Sequence, residues 1–181
     1  RQRVSDRQAI MWATFKATYQ IRRANVRQDN KYCHRCGHTV RMEDVNGGSR
    51  PRCPWCGMVV YLDPKLAAGV LVSDEDKLLF VRRDIEPMLG KWSFPAGYVD
   101  RGEVVEDAAV REVREETNLI VELKGLVGVY SSTDNPVVLV AYAAHVTGGK
   151  LKPGEEAQDA RFFLLDALPE LPFPHDDHIL S

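Results

Sequence analysis

The stretch that most restricts what this chain can become runs from Gly97 to Leu119, GYVDRGEVVEDAAVREVREETNL, where a glycine loop leads into a helix-forming segment rich in carboxylates. Glu112, Glu115 and Glu116 stand at i, i+3 and i+4, so a helix stacks all three on one face over about one turn. Like charges at that spacing destabilise a bare helix by about 0.2–0.5 kcal/mol per pair. A divalent cation bound across the carboxylates reverses the sign of that contribution. Hard oxygen donors without sulfur or imidazole suit magnesium or manganese, and magnesium is commonly held by one or two carboxylates together with substrate phosphates. The competing reading is a solvated acidic helix face.

Read as G-x5-E-x7-R-E-U-x-E-E-x-G-U, the stretch supplies Gly97, Glu103, Arg111, Glu112, Val113, Glu115, Glu116 and Leu119 in register, eight of the nine specified positions. It resembles the Nudix box of the Nudix hydrolases. Asn118 stands where that family has its second glycine, a position just past the helix where the backbone commonly turns left-handed. Asparagine is the next-best residue there, so the departure bears on the helix cap and leaves the carboxylates intact.

The resemblance implies an α/β fold, a Nudix-type α/β/α sandwich with a mixed sheet and the box helix on one face. It also implies that Glu112, Glu115 and Glu116 hold magnesium or manganese, with the Gly97 carbonyl as an additional ligand. Arg111 then faces Glu103 in a bidentate pair that holds the loop over the helix. By analogy with a glutamate that other Nudix branches carry well beyond the box, Glu156 is a candidate general base. Its alternatives are a solvated loop carboxylate at that position, or Glu115 or Glu116 acting as base.

Length and composition are those of a globular protein: 181 residues, 44% hydrophobic and 28% charged. No run approaches the roughly 18–20 apolar residues of a membrane span, and no secretory signal pattern is visible. These features predict a cytoplasmic protein without a membrane partner; because the sequence starts at Arg1, prior removal of an organelle-targeting segment stays open. The net charge of −2 is unevenly placed. Residues 1–30 hold seven cations against two anions, a net of +5, which leaves −7 for the rest.

Within 1–30, a Ser5-x-x-Gln8 capping box precedes Met11, Trp12, Phe15 and Tyr19, which predicts an amphipathic helix from about Asp6 to Arg23 whose aromatic stripe packs on protein. Residues 31–62 carry all four cysteines as Cys33-x-x-Cys36 and Cys53-x-x-Cys56, sixteen residues apart, each pair followed by glycine. That spacing matches a structural zinc ribbon, and four thiolates close a tetrahedral site with no position left for substrate. A core this small needs such a metal to fold. The ribbon is expected to serve packing or dimerisation. Arg35, Arg41, Arg50 and Arg52 leave nucleic acid as its lesser partner.

Residues 63–181 form the third part, the hydrolase domain, to which the family resemblance applies from about residue 64. Strands are expected over 67–72, 77–81, 121–130, 137–146 and 161–164, with short helices beginning near Asp166 and in PFPHDDHIL. Arg82 and Arg83 lead into the loop before the box. Adjacent residues in a strand face opposite ways, so one of them is expected to meet a substrate phosphate. Trp92 and Tyr98 read either as base-stacking or as packing residues. The order of ribbon, R-x-I-E-P and G-K-W-S-F-P-A-G-Y is similar to zinc-ribbon Nudix proteins that cleave dinucleotide cofactors.

That similarity implies magnesium-dependent hydrolysis of a nucleotide cofactor's pyrophosphate. FAD and ADP-ribose stand ahead of NADH, because Tyr130–Pro136 replaces the S-Q-P-W-P-F-P segment of the NADH-cleaving branch. A homodimer is expected from the aromatic N-terminal helix and the ribbon. The alternative function is a zinc-ribbon nucleic-acid-binding or nucleotide-sensing regulator.

Overall fold

In the computed structural model the described residues are 31–133, 135–173 and 175–180. The expected helix over Asp6–Arg23 lies outside them. The chain divides into two compact units between Leu62 and Asp63.

The smaller unit is a hairpin between two knuckles. Strands β1 (Arg41–Val45) and β2 (Gly48–Arg52) pair antiparallel, Arg41 opposite Arg52 and Val45 opposite Gly48. Asn46 and Gly47 both have positive φ, as a two-residue turn matched to the strand twist requires. Each Cys-x-x-Cys-Gly folds alike: the Gly37 amide donates to Cys33 and the Gly57 amide to Cys53, at 2.7 and 2.9 Å.

The larger unit is built on a mixed seven-stranded sheet. Strands β3 (Lys65–Asp74) and β4 (Lys77–Arg83) leave their hairpin paired only at Ser73–Leu78 and Asp74–Lys77, then separate. β3 continues in parallel with β8 (Val137–Gly149), from Lys65 opposite Val137 to Ser73 opposite His145, and takes the short β6 (Ala96–Tyr98) on its other edge. β4 pairs with β5 (Trp92–Ser93) and β9 (Ala157–Leu164), and β7 (Leu119–Tyr130) closes the far side against β8.

Both faces of the sheet are covered. The helix α1 (Val105–Thr117) presses Ala108, Ala109 and Val113 onto Ala68, Val70, Val72, Leu79, Tyr142 and Ala144, which alternate along their strands as a sheet face demands. On the opposite face Leu78, Phe80 and Phe94 pack with Ile179 of the short α2 (Asp176–Ile179) and with Leu71, Leu139 and Phe163. This is the α/β/α sandwich with a mixed sheet. The helix expected near Asp166 is instead a turn, with the Leu165 amide bonded to Asp76 and the Ala167 amide to Leu164. Pro169 and Pro172 follow within six residues and deny a helix its amides.

No side chain caps the start of α1, and Glu106 and Asp107 in its first turn complement the helix dipole instead. Its end is capped by Asn118 in the left-handed conformation, φ 58°, with the amide on the Arg114 carbonyl. Among the described residues no helix is long and apolar enough to cross a membrane.

Candidate active site

Three backbone approaches build the acidic face of α1. The first comes from β6. A Cβ placed on Gly97 would lie 2.1–2.3 Å from the carboxyl atoms of Glu112, so a larger residue there displaces that carboxylate from the position it holds against β6. One residue earlier, the Ala96 amide donates to Glu116 Oε2 at 3.1 Å.

The second approach is the loop before α1. Arg111 spans it with its whole guanidinium: Nε and Nη2 donate to the two oxygens of Glu103 at 2.7 and 2.9 Å, and Nη2 donates to the Tyr98 carbonyl at 3.1 Å. Nη1 reaches Glu112 at 2.7 Å and Glu115 at 2.9 Å. Glu103 also accepts the Asp100 amide, and with Arg111 beside it its carboxyl is held down to about 2. The expected bidentate pair is thus present, and Arg111 additionally ties down two of the box carboxylates.

The third approach comes from the segment before β9. The Lys152 amide donates to Thr117 and the Gly154 amide to Glu116, satisfying carbonyls at the end of α1. A Cβ on Gly154 would stand 1.9 Å from the Glu115 carbonyl oxygen, so this contact also needs glycine. Two residues on, the Glu156 carbonyl accepts the Asp84 amide at 2.9 Å, which anchors Glu156 between the end of α1 and the end of β4.

Burial pushes the Glu116 carboxyl up to about 8, and the negative charges of Glu112 and Glu156 add to the shift while the Ala96 amide and Arg83 oppose it. Glu112 is also raised, first by burial and then by Glu115 and Glu156, against the pull of Arg111. Glu112, Glu116, Glu156 and Arg83 therefore form one electrostatic group. Glu115 is different: its side chain is 60% exposed, against 13% for Glu112. Among the described residues only the four cysteines form a set of three or more metal-ligand side chains whose ligand atoms all lie within 4.8 Å. Arg111 Nη1 bridges Glu112 and Glu115, at 2.7 and 2.9 Å, while Glu115 keeps its exposure.

Of the two arginines that end β4, Arg83 continues the Leu79–Val81 face towards α1 and feels Glu116. Its Nε donates to the Pro87 carbonyl at 2.8 Å, and its guanidinium lies 5.9 Å from the Phe173 ring centre. Arg82 is exposed and donates to the Gly90 carbonyl. Trp92 packs edge-on against Phe163 and belongs to the second core, whereas Tyr98 is exposed with the Lys65 ammonium 4.7 Å from its ring centre. A cavity of about 480 Å³ opens beside this pair, and its walls include Glu103 but neither Glu112 nor Glu116.

Sequence reading missed three of these elements: the Ala96 amide, the glycine contact at Gly154 and the Phe173 ring over Arg83. The first is a backbone group and carries no side-chain signal. Pro153-Gly154 was legible only as a turn.

In the smaller unit the four thiols converge. Cys33 and Cys53 are buried, and Sγ separations are 3.6 Å for Cys33–Cys56 and 3.5 Å for Cys36–Cys53 and Cys36–Cys56. A tetrahedron of sulfurs about 2.3 Å from zinc has edges of about 3.8 Å, so the set fits that ion with small adjustment. The Cys56 and Trp55 amides hold the Cys53 thiol down to about 6, whereas against the pull of the His38 amide, burial and the neighbouring thiols push Cys36 up to about 12, so in the metal-free cluster Cys36 is the thiol that keeps its proton.

Residues 63–180 match the family model for the NUDIX domain. The chain is 41% identical over 121 residues to an ADP-ribose pyrophosphatase of Methanocaldococcus jannaschii, across 65% of this chain and 72% of that protein. It is 36% identical over 146 residues to the NAD-capped RNA hydrolase NudC of Pseudomonas aeruginosa, across 79% of this chain; it spans about half, 51%, of that relative's length. The solved structure of a Nudix hydrolase from Nitrosomonas europaea superposes with a TM-score of 0.72 at 33% identity, over 76% of this chain and 80% of that one. With its box glutamates, Arg111–Glu103 clasp and sandwich fold, the chain belongs to the Nudix hydrolase family.

Proposed function

We propose that residues 63–181 hydrolyse the pyrophosphate bond of a nucleoside-diphosphate-linked small molecule, with ADP-ribose the leading substrate and FAD and NADH behind it. The observation that carries this reading is the half-buried pair Glu112 and Glu116, the first packed against Gly97 and the second held by the Ala96 amide, in the field of Glu156 and Arg83. Two carboxyls that resist ionisation because they are buried beside other negative groups are what a divalent cation relieves. The donor set therefore fits magnesium or manganese, held by Glu112 and Glu116 and completed by Glu115. When bound there, the ion supplies charge neutralisation at the phosphate oxygens and lowers the pKa of a coordinated water.

The protein's own groups do the rest. Arg83 sits at the mouth of the acidic face, where it meets a phosphate oxygen of the substrate. Glu156 accepts the proton of the attacking water; the new P–O bond forms as the anhydride P–O bond breaks, giving AMP and ribose 5-phosphate from ADP-ribose. Arg111 and Glu103 keep the loop and Glu112 in place. In the smaller unit Cys33, Cys36, Cys53 and Cys56 hold a structural zinc.

The relatives' names support ADP-ribose as the leading substrate and NAD-capped RNA as a comparison: one is an ADP-ribose pyrophosphatase and another an NAD-capped RNA hydrolase. The test is a hydrolysis panel of ADP-ribose, FAD, NADH and NAD-capped RNA with magnesium, scored by AMP or capped-end release. ADP-ribose is expected to turn over fastest, and Glu112→Gln to lose at least about a hundredfold in kcat. No hydrolysis of any of the four would overturn the reading.

A further inference from the structure

The hydrolytic site leaves the surface of the small unit unexplained. The Trp55 ring lies flat on the His38 imidazole, with centroids 4.7 Å apart and planes within 6°, yet 74% of Trp55 is exposed. His38 is fixed in turn, its Nδ1 within 3.1 Å of the Cys36 carbonyl. One face of the indole therefore rests on a held ring and the other lies open to solvent. A second exposed ring, Tyr61 at 57%, carries the Arg50 guanidinium 5.0 Å from its centre. Arg35 is exposed in the first knuckle, and Arg52 donates to the Gly57 carbonyl of the second and to Glu43, each at 3.4 Å, the latter an exposed pair of the kind worth little that a phosphate can displace.

Charge is distributed to match. Residues 31–62 hold five cations against Glu43 and Asp44, a net of +3 that a zinc ion with four thiolates lowers to +1, whereas residues 63–181 hold twelve cations against twenty-two anions, a net of −10. Open aromatic faces set among arginines are how proteins bind single-stranded nucleic acid: bases stack on the rings and the cations follow the phosphates. A face for a second copy of the chain would differ, because the centres of such interfaces are depleted in charge and need contiguous apolar area. Here Trp55 stacks on His38, and exposed His34, Arg35 and Arg52 lie in or beside the same two knuckles.

We infer that the ribbon is a docking platform for single-stranded nucleic acid, with a base stacked on the open face of Trp55 above His38 and phosphates met by Arg35 and Arg52. The platform is independent of which small molecule the hydrolase domain cleaves, and it gives the chain a means of retaining a polynucleotide as substrate or effector.

The test uses the full-length, zinc-loaded protein and a fluorescein-labelled single-stranded RNA of about ten nucleotides, followed by anisotropy at low salt. The expected result is binding that weakens as salt rises, at least about tenfold weaker in Trp55→Ala and largely retained in Trp55→Phe. Zinc content and ADP-ribose hydrolysis should be unchanged in both variants, which separates this inference from the proposed activity. Equal binding by Trp55→Ala would assign the affinity to cations elsewhere and overturn the inference, as would absence of binding in the unaltered protein. A change in sedimentation on Trp55→Ala without a change in RNA affinity would give the surface to a second copy. Should Trp55→Ala lose zinc, Arg35→Glu decides: it must weaken binding several-fold and flatten the salt dependence, and an unaltered affinity overturns the inference.

Discussion

The Cα of Gly97 lies so close to the Glu112 carboxyl that any Cβ would sit 2.1 Å from its carbon. Moving aside costs Glu112 the hydrogen bond that its Oε1 accepts from Arg111 at 2.7 Å. Gly97→Ala must therefore push the carboxylate off its position or displace β6. Strain of that kind costs about 1–3 kcal/mol. We expect a loss of at least about tenfold in kcat and a raised magnesium requirement, with a modest fall in melting temperature. Steady-state kinetics across a magnesium titration, beside a thermal melt, check this; unchanged kcat would show that Glu112 moves freely.

Arg111 makes five hydrogen bonds to three carboxylates and one carbonyl. Lysine keeps the charge but loses the planar fork, so Arg111→Lys cannot serve Glu103 and Glu112 together. Support of this kind is commonly worth 10–100-fold in activity or metal affinity. Arg111→Lys and Glu103→Gln are each expected to fall in that range. The double variant should lose much less than the product, because both changes break one clasp. Fully multiplicative losses in kcat/KM would show that the two residues act separately.

The parts of the site legible in the sequence are those written in side chains at fixed spacing. Glu112, Glu115 and Glu116 announce a helix face, and Cys33 to Cys56 announce two knuckles. The structure adds what spacing alone cannot carry. Period three and four puts three glutamates on one face, but it does not reveal that Glu115 stays 60% exposed while Glu112 is only 13% exposed. Likewise, alternation predicted that only one of Arg82 and Arg83 faces the site, and the choice of Arg83 follows from the face that Leu79 shares with α1. The sheet order was not legible either. The long parallel pairing of β3 with β8 joins segments about seventy residues apart, and local pattern contains no information about such a partner.

Gly154 sits against the last turn of α1, where a Cβ would stand 1.9 Å from a backbone oxygen of Glu115. Unlike the Gly97 contact, this one faces main chain, which cannot rotate aside. Gly154→Ala should therefore lift the 152–156 segment from the helix end, release the Gly154–Glu116 hydrogen bond and move Glu156 away from Glu116. The expected outcome is a destabilisation of about 1–3 kcal/mol together with a fall in kcat approaching that of Glu156→Gln. Chemical denaturation and kinetics on both variants check this. A Gly154→Ala protein as stable and active as the original would separate Glu156 from the chemistry.

Glu116, a metal ligand in the proposed mechanism, would link metal binding to pH. Its carboxyl is raised to about 8 by burial and by neighbouring Glu112 and Glu156, against about 4.3 for a glutamate in the unfolded chain. Between those values the folded protein binds more protons than the unfolded one. Without metal, stability is accordingly greatest below about pH 4.3 as far as this group is concerned, and is lost as pH rises towards 8. A bound cation replaces the proton and removes that penalty, so magnesium binding at pH 7 must release protons and must tighten as pH rises. Calorimetric titration of magnesium in buffers of different ionisation enthalpy should show net proton release near pH 7, diminishing above pH 8. In Glu116→Gln the release should fall, and the decline in metal-free stability between pH 5 and 8 should flatten. Proton release unaltered by Glu116→Gln would place the titrating group elsewhere on the acidic face.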